Sequence, residues 1–272
     1  MGKTLFAILL FVAAVFAAPL ASASVIRVPE HYKKIQDAVN AANPNDIIIV
    51  NAGTYRENIV IKKTVQLKSA KGPEATVVTA ARKTDPVFKI DHAANVNVSG
   101  FTATGSGVSG ISLHNASGSI IRDNRATGNG DGILVYSSSG NNIISNAADS
   151  NARYGIYMEA SKGNVLTDNS ASLNGDKGIF LSSSRGNTVT DNSANINTWN
   201  GILLWSSHGN IIKGNKAMRN TYGIVQGDSD DNDVDDNTTL PNFVLILPII
   251  LVYTGVVFYL VQKNIARKIY RM

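Results

Sequence analysis

GILVYSSSGNNIISNAADSNARY (132–154), GIYMEASKGNVLTDNSASLNGDK (155–177), GIFLSSSRGNTVTDNSANINTWN (178–200) and GILLWSSHGNIIKGNKAMRNTY (201–222) follow one another without a gap. The Gly-Ile pair that opens each also stands at Gly110-Ile111 and Gly223-Ile224, so six copies recur 22 or 23 residues apart. A fixed period of this length marks a repeat architecture, and it decides the fold before any single element is assigned.

Other columns keep the same register. One asparagine column runs Asn124, Asn146, Asn169, Asn192, Asn215, Asn237; a second runs Asn141, Asn164, Asn187, Asn210, Asn232; a third runs Asn129, Asn151, Asn174, Asn197, Asn220. Apolar columns lie between them: Ile121, Ile143, Leu166, Val189, Ile212, Val234, and again Ala126, Ala148, Ala171, Ala194, Ala217. A third apolar column, Leu113, Val135, Met158, Leu181, Leu204, follows the Gly-Ile pair. Apolar positions alternating with polar ones, between Asn, Gly and Ser clusters, read as short strands and turns. The density of Gly, Asn, Ser and Thr excludes a helical solenoid, because these residues are poor helix formers.

Short strands at this period can coil so that each pairs in parallel with its copy about 4.8 Å away in the next turn. Identical residues then stack. Stacked asparagines can hydrogen-bond from coil to coil, and asparagine tolerates the left-handed backbone of tight corners. The columns therefore read as structural ladders.

The pattern G-I-x-L, then S-x-x-N-x-I-x-x-N-x-A-x-x-N, resembles the right-handed parallel β-helix repeat of the pectin-lyase-like superfamily, in particular its NosD-like branch, strongly over residues 86–239. The stretch from Tyr32 through Ala42, followed by Asp46 to Val50 and Gly53 to Asn58, looks like the start of such solenoids, where a short amphipathic helix caps the open end. A cap is needed because the first coil otherwise presents bare strand edges and an apolar cross-section. The fold expected is an all-β, right-handed, single-stranded parallel β-helix of eight or nine coils, with an N-terminal helix cap and one C-terminal transmembrane helix. The segments expected are a signal peptide (1–23), the cap and first coils (24–85), the regular repeats (86–241), the membrane helix (242–261) and a basic cytoplasmic tail (262–272).

The ends carry the membrane reading. Lys3, the apolar run Leu5 to Ala18 and Ala21-Ser22-Ala23 are the parts of a secretory leader, an uncleaved anchor being the alternative. Phe243 to Val261 is nineteen residues without a charge, enough to cross the ~30 Å of a hydrocarbon core. Tyr253 and Tyr259 suit its interfaces, and Lys263, Arg267, Lys268 and Arg271 place the tail in the cytosol and the solenoid outside. The formal charge of +5 comes from the ends alone, since residues 24–261 are neutral, so no nucleic-acid partner is expected. With no cysteine, disulfides, thiolate metal sites and a catalytic thiol are all excluded.

If residues one and three after the repeat glycine point inward, those two and four after it point out. These are Leu134, Tyr157, Phe180, Leu203 and Val225, with His114, Tyr136 and Trp205 alongside, and the preceding turn adds Tyr154, Trp199 and Tyr222. Tyr136, Tyr154, Tyr157, Phe180, Trp199, Leu203, Trp205 and Tyr222 thus form a candidate aromatic surface on which sugar rings could stack or which a partner protein could bury. The alternative is that outer aromatics merely brace the sheet.

No catalytic residue is assigned. Asp168 and Asp191 share a column with Asp123 and Asp236, but Ser145 and Gly214 interrupt it and the position suits a corner turn. The run Asp228 to Asp236, six aspartates in nine residues, reads as a solvated end coil that resists end-to-end stacking, with calcium the competing possibility. The resemblance implies copper and ABC-transporter partners by family association only. His31, His92, His114 and His208 share no column and Met158 falls on the inward face, so no metal site is assigned. Asn97, Asn115 and Asn237 open sequons compatible with an outward location. The function expected is a membrane-anchored, extracytoplasmic, non-enzymatic module binding glycans or a partner protein. A polysaccharide lyase, hydrolase or epimerase, or a structural surface-layer protein, is the alternative.

Overall fold

The computed structural model describes residues 23–241 and 258–259. The chain winds into an all-β parallel solenoid of about nine turns. Every strand pairs in parallel with its copy in the neighbouring coil. One face is a ten-stranded sheet running from Val25–Val28 to Asp233–Asp235, and a second is an eight-stranded sheet running from Ile59–Ile61 to Tyr222–Gly227. A third face carries a four-stranded sheet and, near the C-terminal end, a two-stranded one.

The apolar columns fill the interior. Ile133, Val135, Ile156, Met158, Ile179, Leu181, Ile202 and Leu204 are all fully buried, and so is the alanine column. In-register pairs such as Ile156 with Ile179 and Met158 with Leu181 stack like on like up the axis.

The asparagine columns are buried ladders. Asn146 Nδ2 donates to Asn169 Oδ1 (3.0 Å), Asn169 Nδ2 to Asn192 Oδ1 (2.9 Å) and Asn192 Nδ2 to Asn215 Oδ1 (3.0 Å). Each carbonyl also accepts the backbone N–H of the asparagine one coil earlier, as Asn169 Oδ1 does from Asn146 N at 2.9 Å. These side chains satisfy corner backbone groups that the strands leave unpaired, which a buried chain must do somewhere. A serine ladder does the same at another corner, Ser138 N donating to Ser161 Oγ and Ser161 N to Ser184 Oγ.

The column of Asp168 and Asp191 is a left-handed corner. Asp123, Ser145, Asp168, Asp191, Gly214 and Asp236 all have φ between 52° and 67°. Asp and Gly recur there because they enter that region at least cost.

At the N-terminal end the short helix Ile35–Ala41 buries Ile35, Ala38 and Val39 against the first coils. Its first amides are capped by a carboxylate from another coil: Ile35 N and Gln36 N donate to Glu57 Oε1 and Oε2 at 2.9 and 3.0 Å. The coils beneath it vary in length. Ile47 pairs with Gln66, nineteen residues on, and Gln66 with Asn97, thirty-one on. The 22–23-residue register runs unbroken only after that.

The expected leader (1–23) and membrane segment (242–261) lie outside the described residues, apart from Ala23 and the helical pair Phe258 and Tyr259. Among the described residues no helix is long and apolar enough to cross a membrane.

Candidate functional site

The eight-stranded sheet carries its outward side chains in two columns. The register pairs Lys89, Ser112, Leu134, Tyr157, Phe180, Leu203 and Val225 in the first, and Asp91, His114, Tyr136, Glu159, Ser182, Trp205 and Gly227 in the second. Strand alternation forces this, because the intervening residues are the buried isoleucines, leucines and valines.

The eight aromatic and apolar residues singled out from the sequence fall into separate groups. Tyr154, Tyr157 and Phe180 pack together, Tyr157 stacked on Phe180 with centroids 5.0 Å apart and planes 10° off parallel, and Tyr154 tilted against both. Lys177 Nζ sits 5.1 Å from the Tyr154 ring centre and 5.3 Å from that of Phe180, so a cation covers this cluster. Burial, and then a hydrogen bond to Glu159, push the Tyr157 phenol up to about 12, so it stays protonated at neutral pH.

Trp199, Trp205 and Tyr222 stand more than half exposed. Trp205 pairs with Gly227 one coil on, and its indole occupies the space a side chain there would fill. Leu203 lies half-buried between Phe180 and Val225. Tyr136 stands apart from both groups and stacks face to face on His114, centroids 5.2 Å apart and planes 4° off parallel.

His114 opens a cluster that the sequence reading did not assemble. His92 Nδ1 and His114 Nδ1 lie 3.1 and 3.2 Å from the same oxygen, Asp91 Oδ1, and Lys89 Nζ lies 3.1 Å from it. Lys62 Nζ approaches the other oxygen at 3.7 Å. Burial opposes ionisation of Asp91, but the bonds from Lys89 and His92, the Lys89 charge and the His114 bond hold its carboxyl down at about 2. His92 occupies a left-handed corner, φ 52°, which turns its ring back over the strand end. His92 and His114 share no column; they are diagonal neighbours in adjacent coils. The signal present in the sequence was their separation of 22 residues, one short of the 23 that put His114 in register with Asp91.

Another buried acid opens one strand of this sheet, in register with Ser109. Asp131 bonds Arg153 Nη2 at 2.7 Å, and burial pushes its carboxyl above the usual range despite that pair.

The profile of the family described as periplasmic copper-binding protein (NosD) matches residues 39–199 and 174–244. Over 96 residues the chain is 38% identical to a probable pectinesterase/pectinesterase inhibitor 6 of Arabidopsis thaliana, covering 32% of this chain and 17% of that protein. Over 95 residues it is 35% identical to a cell surface glycoprotein of Methanothermus fervidus, covering 34% and 15%. The matches thus span under a fifth of either relative. Among solved structures it is similar to the catalytic domain of a GH87 α-1,3-glucanase (TM-score 0.59, 17% identity, 82% of this chain and 46% of that one). A periplasmic alginate epimerase gives a TM-score of 0.56 at 17% identity, covering 72% and 69%. The A-module of an Azotobacter vinelandii mannuronan C-5 epimerase gives 0.50 at 16%, covering 76% and 81%. At these identities the likeness is one of fold.

Copper can be tested against the donors present. There is no cysteine, and of the described methionines Met158 is fully buried in the core and Met218 is half-buried on a strand that carries no histidine, so the soft ligands that favour Cu(I) are scarce. Asp91, His92 and His114 offer two imidazoles and a carboxylate whose ligand atoms lie within 4.8 Å of one another. That donor set fits a divalent ion.

Proposed function

Since the chain belongs to the NosD family of parallel β-helix proteins, we propose that it is an extracytoplasmic recognition module whose ligand, a glycan, lies along the outer face of the eight-stranded sheet. The observation that carries the reading is the exposure of Trp199, Trp205 and Tyr222 beside the Tyr154–Tyr157–Phe180 cluster on one flank of consecutive coils. Water-facing indoles on a rigid sheet are ready stacking platforms, since fixing them costs little further entropy when a ring settles on them. In this reading the leader directs the solenoid outward and residues 242–261 tether it. An ABC transporter or other surface protein is the partner to which such a module would present its ligand.

A second reading, a polysaccharide-active enzyme, draws on a different observation. Asp91, His92, His114 and Lys89 bring acid, base and cationic groups together at one end of the same strip. Glycan-array binding by the full-length chain, followed by incubation with each hit, separates the two readings. Binding without cleavage supports recognition, turnover supports the enzyme, and the absence of any glycan hit refutes both. Trp205→Ala removes one stacking platform worth about 0.5–1.5 kcal/mol, so affinity for a hit should fall by up to about tenfold.

A further inference from the structure

We infer that the corner between the third face and the eight-stranded sheet rests on an anionic phospholipid surface, with Leu173 and Ile196 entering the interface and Lys216 and Arg219 meeting the headgroups. This rests on the tether proposed for residues 242–261, and it names what the tethered solenoid lies against.

Two residues past each alanine of the interior column, the chain turns through a left-handed corner at Gly128, Ser150, Leu173, Ile196 and Arg219, with φ between 56° and 66°. Glycine enters that region at least cost, whereas a β-branched side chain there is an outlier. Leu173 and Ile196 hold it all the same, and burial does not compensate them. They are 55% and 41% exposed, and neither packs against the hydrophobic core. Backbone strain that brings no packing gain is the mark of a site kept for something other than the fold.

Arg219 continues the column in the next coil, so two apolar side chains and a cation stand in line along the axis, about 4.8 Å apart. Beside them on the third face, Leu240 is 48% exposed and paired with half-buried Met218, and Lys216 is exposed. Lys213 is held by Asp233 on the ten-stranded sheet, whereas among the described residues Lys216 and Arg219 have no carboxylate partner.

The place where the chain leaves the solenoid selects the occupant. The last described strand, Thr238–Pro241, lies on the third face with Pro241 opposite Asn220, one residue past Arg219. The uncharged stretch Phe243 to Val261 follows at once. A tether that starts there holds this corner near the bilayer at high effective concentration, so a ridge of a few apolar side chains suffices. Charge agrees. The six aspartates between Asp228 and Asp236 lie on the ten-stranded sheet and the corners on either side of it, and none lies on the corner of Leu173 and Ile196. Anionic headgroups thus repel the opposite side of the last coil and attract this one.

Because the chain has no cysteine, Leu173→Cys, Ile196→Cys and Arg185→Cys each take a single nitroxide label. Arg185 is the control, exposed on the corner between the eight- and ten-stranded sheets. Each full-length variant is reconstituted into vesicles of phosphatidylcholine with phosphatidylglycerol, and relaxation of the label by lipid-dissolved oxygen is compared with relaxation by an aqueous nickel chelate. Labels at 173 and 196 should meet oxygen and be shielded from the chelate, the label at 185 should show the reverse, and pure phosphatidylcholine should weaken the contrast. Lys216→Gln and Arg219→Gln should each lower the contact equilibrium about fivefold. Ile196→Asn should reduce oxygen access at a label on 173 without lowering the melting temperature in detergent, because asparagine takes a left-handed corner readily. In protein that stays with the vesicles, labels at 173 and 196 as open to the chelate as the label at 185 would overturn the inference and leave the tether standing. A fall in melting temperature of more than about 4 °C for Ile196→Asn would also overturn it, since Ile196 would then serve the fold. Release of the full-length chain from the vesicles by an alkaline wash would overturn the tether and this inference together.

Discussion

Replacing Asn169 by alanine removes the middle rung of the longest ladder. Its carbonyl accepts from Asn146 N and Asn146 Nδ2 at 2.9 and 3.0 Å, and its amide donates to Ile143 O, Thr167 O and Asn192 Oδ1 at 2.8, 3.0 and 2.9 Å. The residue is 1% exposed, so water cannot reach the gap. The backbone N–H of Asn146 then loses its partner inside the protein, a cost of about 1–3 kcal/mol, and weakening of the remaining bonds adds about 1–2 kcal/mol more. A total near 4 kcal/mol should lower the melting temperature by about 8–16 °C for a domain of this size. Asn237 is the control. It makes the equivalent bonds to Asn215 and Ile212 at the half-exposed end of the same ladder, where water can substitute. Asn237→Ala should cost only about 1 kcal/mol. Thermal and urea unfolding of the two variants, followed by circular dichroism, gives the comparison. Equal destabilisation by both would refute the reasoning, because buried bonding in the ladder would then contribute nothing beyond its exposed end.

Asp131 supplies a pH prediction. Its carboxyl is raised above the ordinary 3.8, chiefly by burial, so the folded state holds its proton more tightly than the unfolded one. The stability tied to that proton is fully present below about pH 4 and is lost as pH climbs through the raised value. Asp131→Asn should therefore gain on the wild type between pH 4 and 7, and a constant difference in melting temperature across that interval would count against the burial argument. Gly155→Ala should cost about 3 kcal/mol or more through overpacking, because a β-carbon there would stand 2.7 Å from Asn174 Nδ2 and Gly178 O. Gly163→Asn, at φ 62° with open space around it, should be close to neutral in the same unfolding assay. Glu57→Ala strips both capping bonds from the helix Ile35–Ala41 and should cost about 1–2 kcal/mol; hydrogen exchange confined to the first coils would report it, and unchanged protection of Ile35 and Gln36 would contradict the capping role.

The regular coils were legible because like residues stack on like, so a structural contact at 4.8 Å becomes a repeat in the text. Gly132, Gly155 and Gly178 recur because the backbone of the next coil approaches too closely for any side chain, Gly201 because the Ala217 and Asn220 side chains do, and the asparagines because corner amides need them. The first coils were not legible as repeats: turns of nineteen and thirty-one residues erase the period while keeping the pairing. The outward flank was also readable, since alternation fixes which side a residue faces. How those side chains divide was not, because the stacking of Tyr157 on Phe180, the cover of Lys177 and the seat of Trp205 over Gly227 depend on rotamers and on neighbours a coil away. Asp91, His92 and His114 escaped notice for a related reason. Columns announce themselves through identical residues, whereas this cluster is built from unlike ones, Asp91 and His114 in one column and His92 beside it.

The ladders have a direction. In all three, Nδ2 of one asparagine donates to Oδ1 of the asparagine in the following coil, from Asn124 to Asn146, from Asn141 to Asn164 and from Asn129 to Asn151 onward. Side-chain amides carry dipoles like those of peptide units, and units aligned head to tail add. The backbone bonds of the coils lie along the same axis, but in each strand they point alternately up and down and largely cancel. The solenoid is thus an electrically polarised rod, carbonyl-negative toward the helix-capped end and amide-positive toward the last coil. The six aspartates from Asp228 to Asp236 sit at that positive end, where the field of the stacked amides favours their charge. Two such rods meeting at their last coils would bring like poles and like charges together, so polarity and sequence act in the same sense against pairing through that end, while head-to-tail addition, which would align the dipoles, meets the helix Ile35–Ala41 packed at the other.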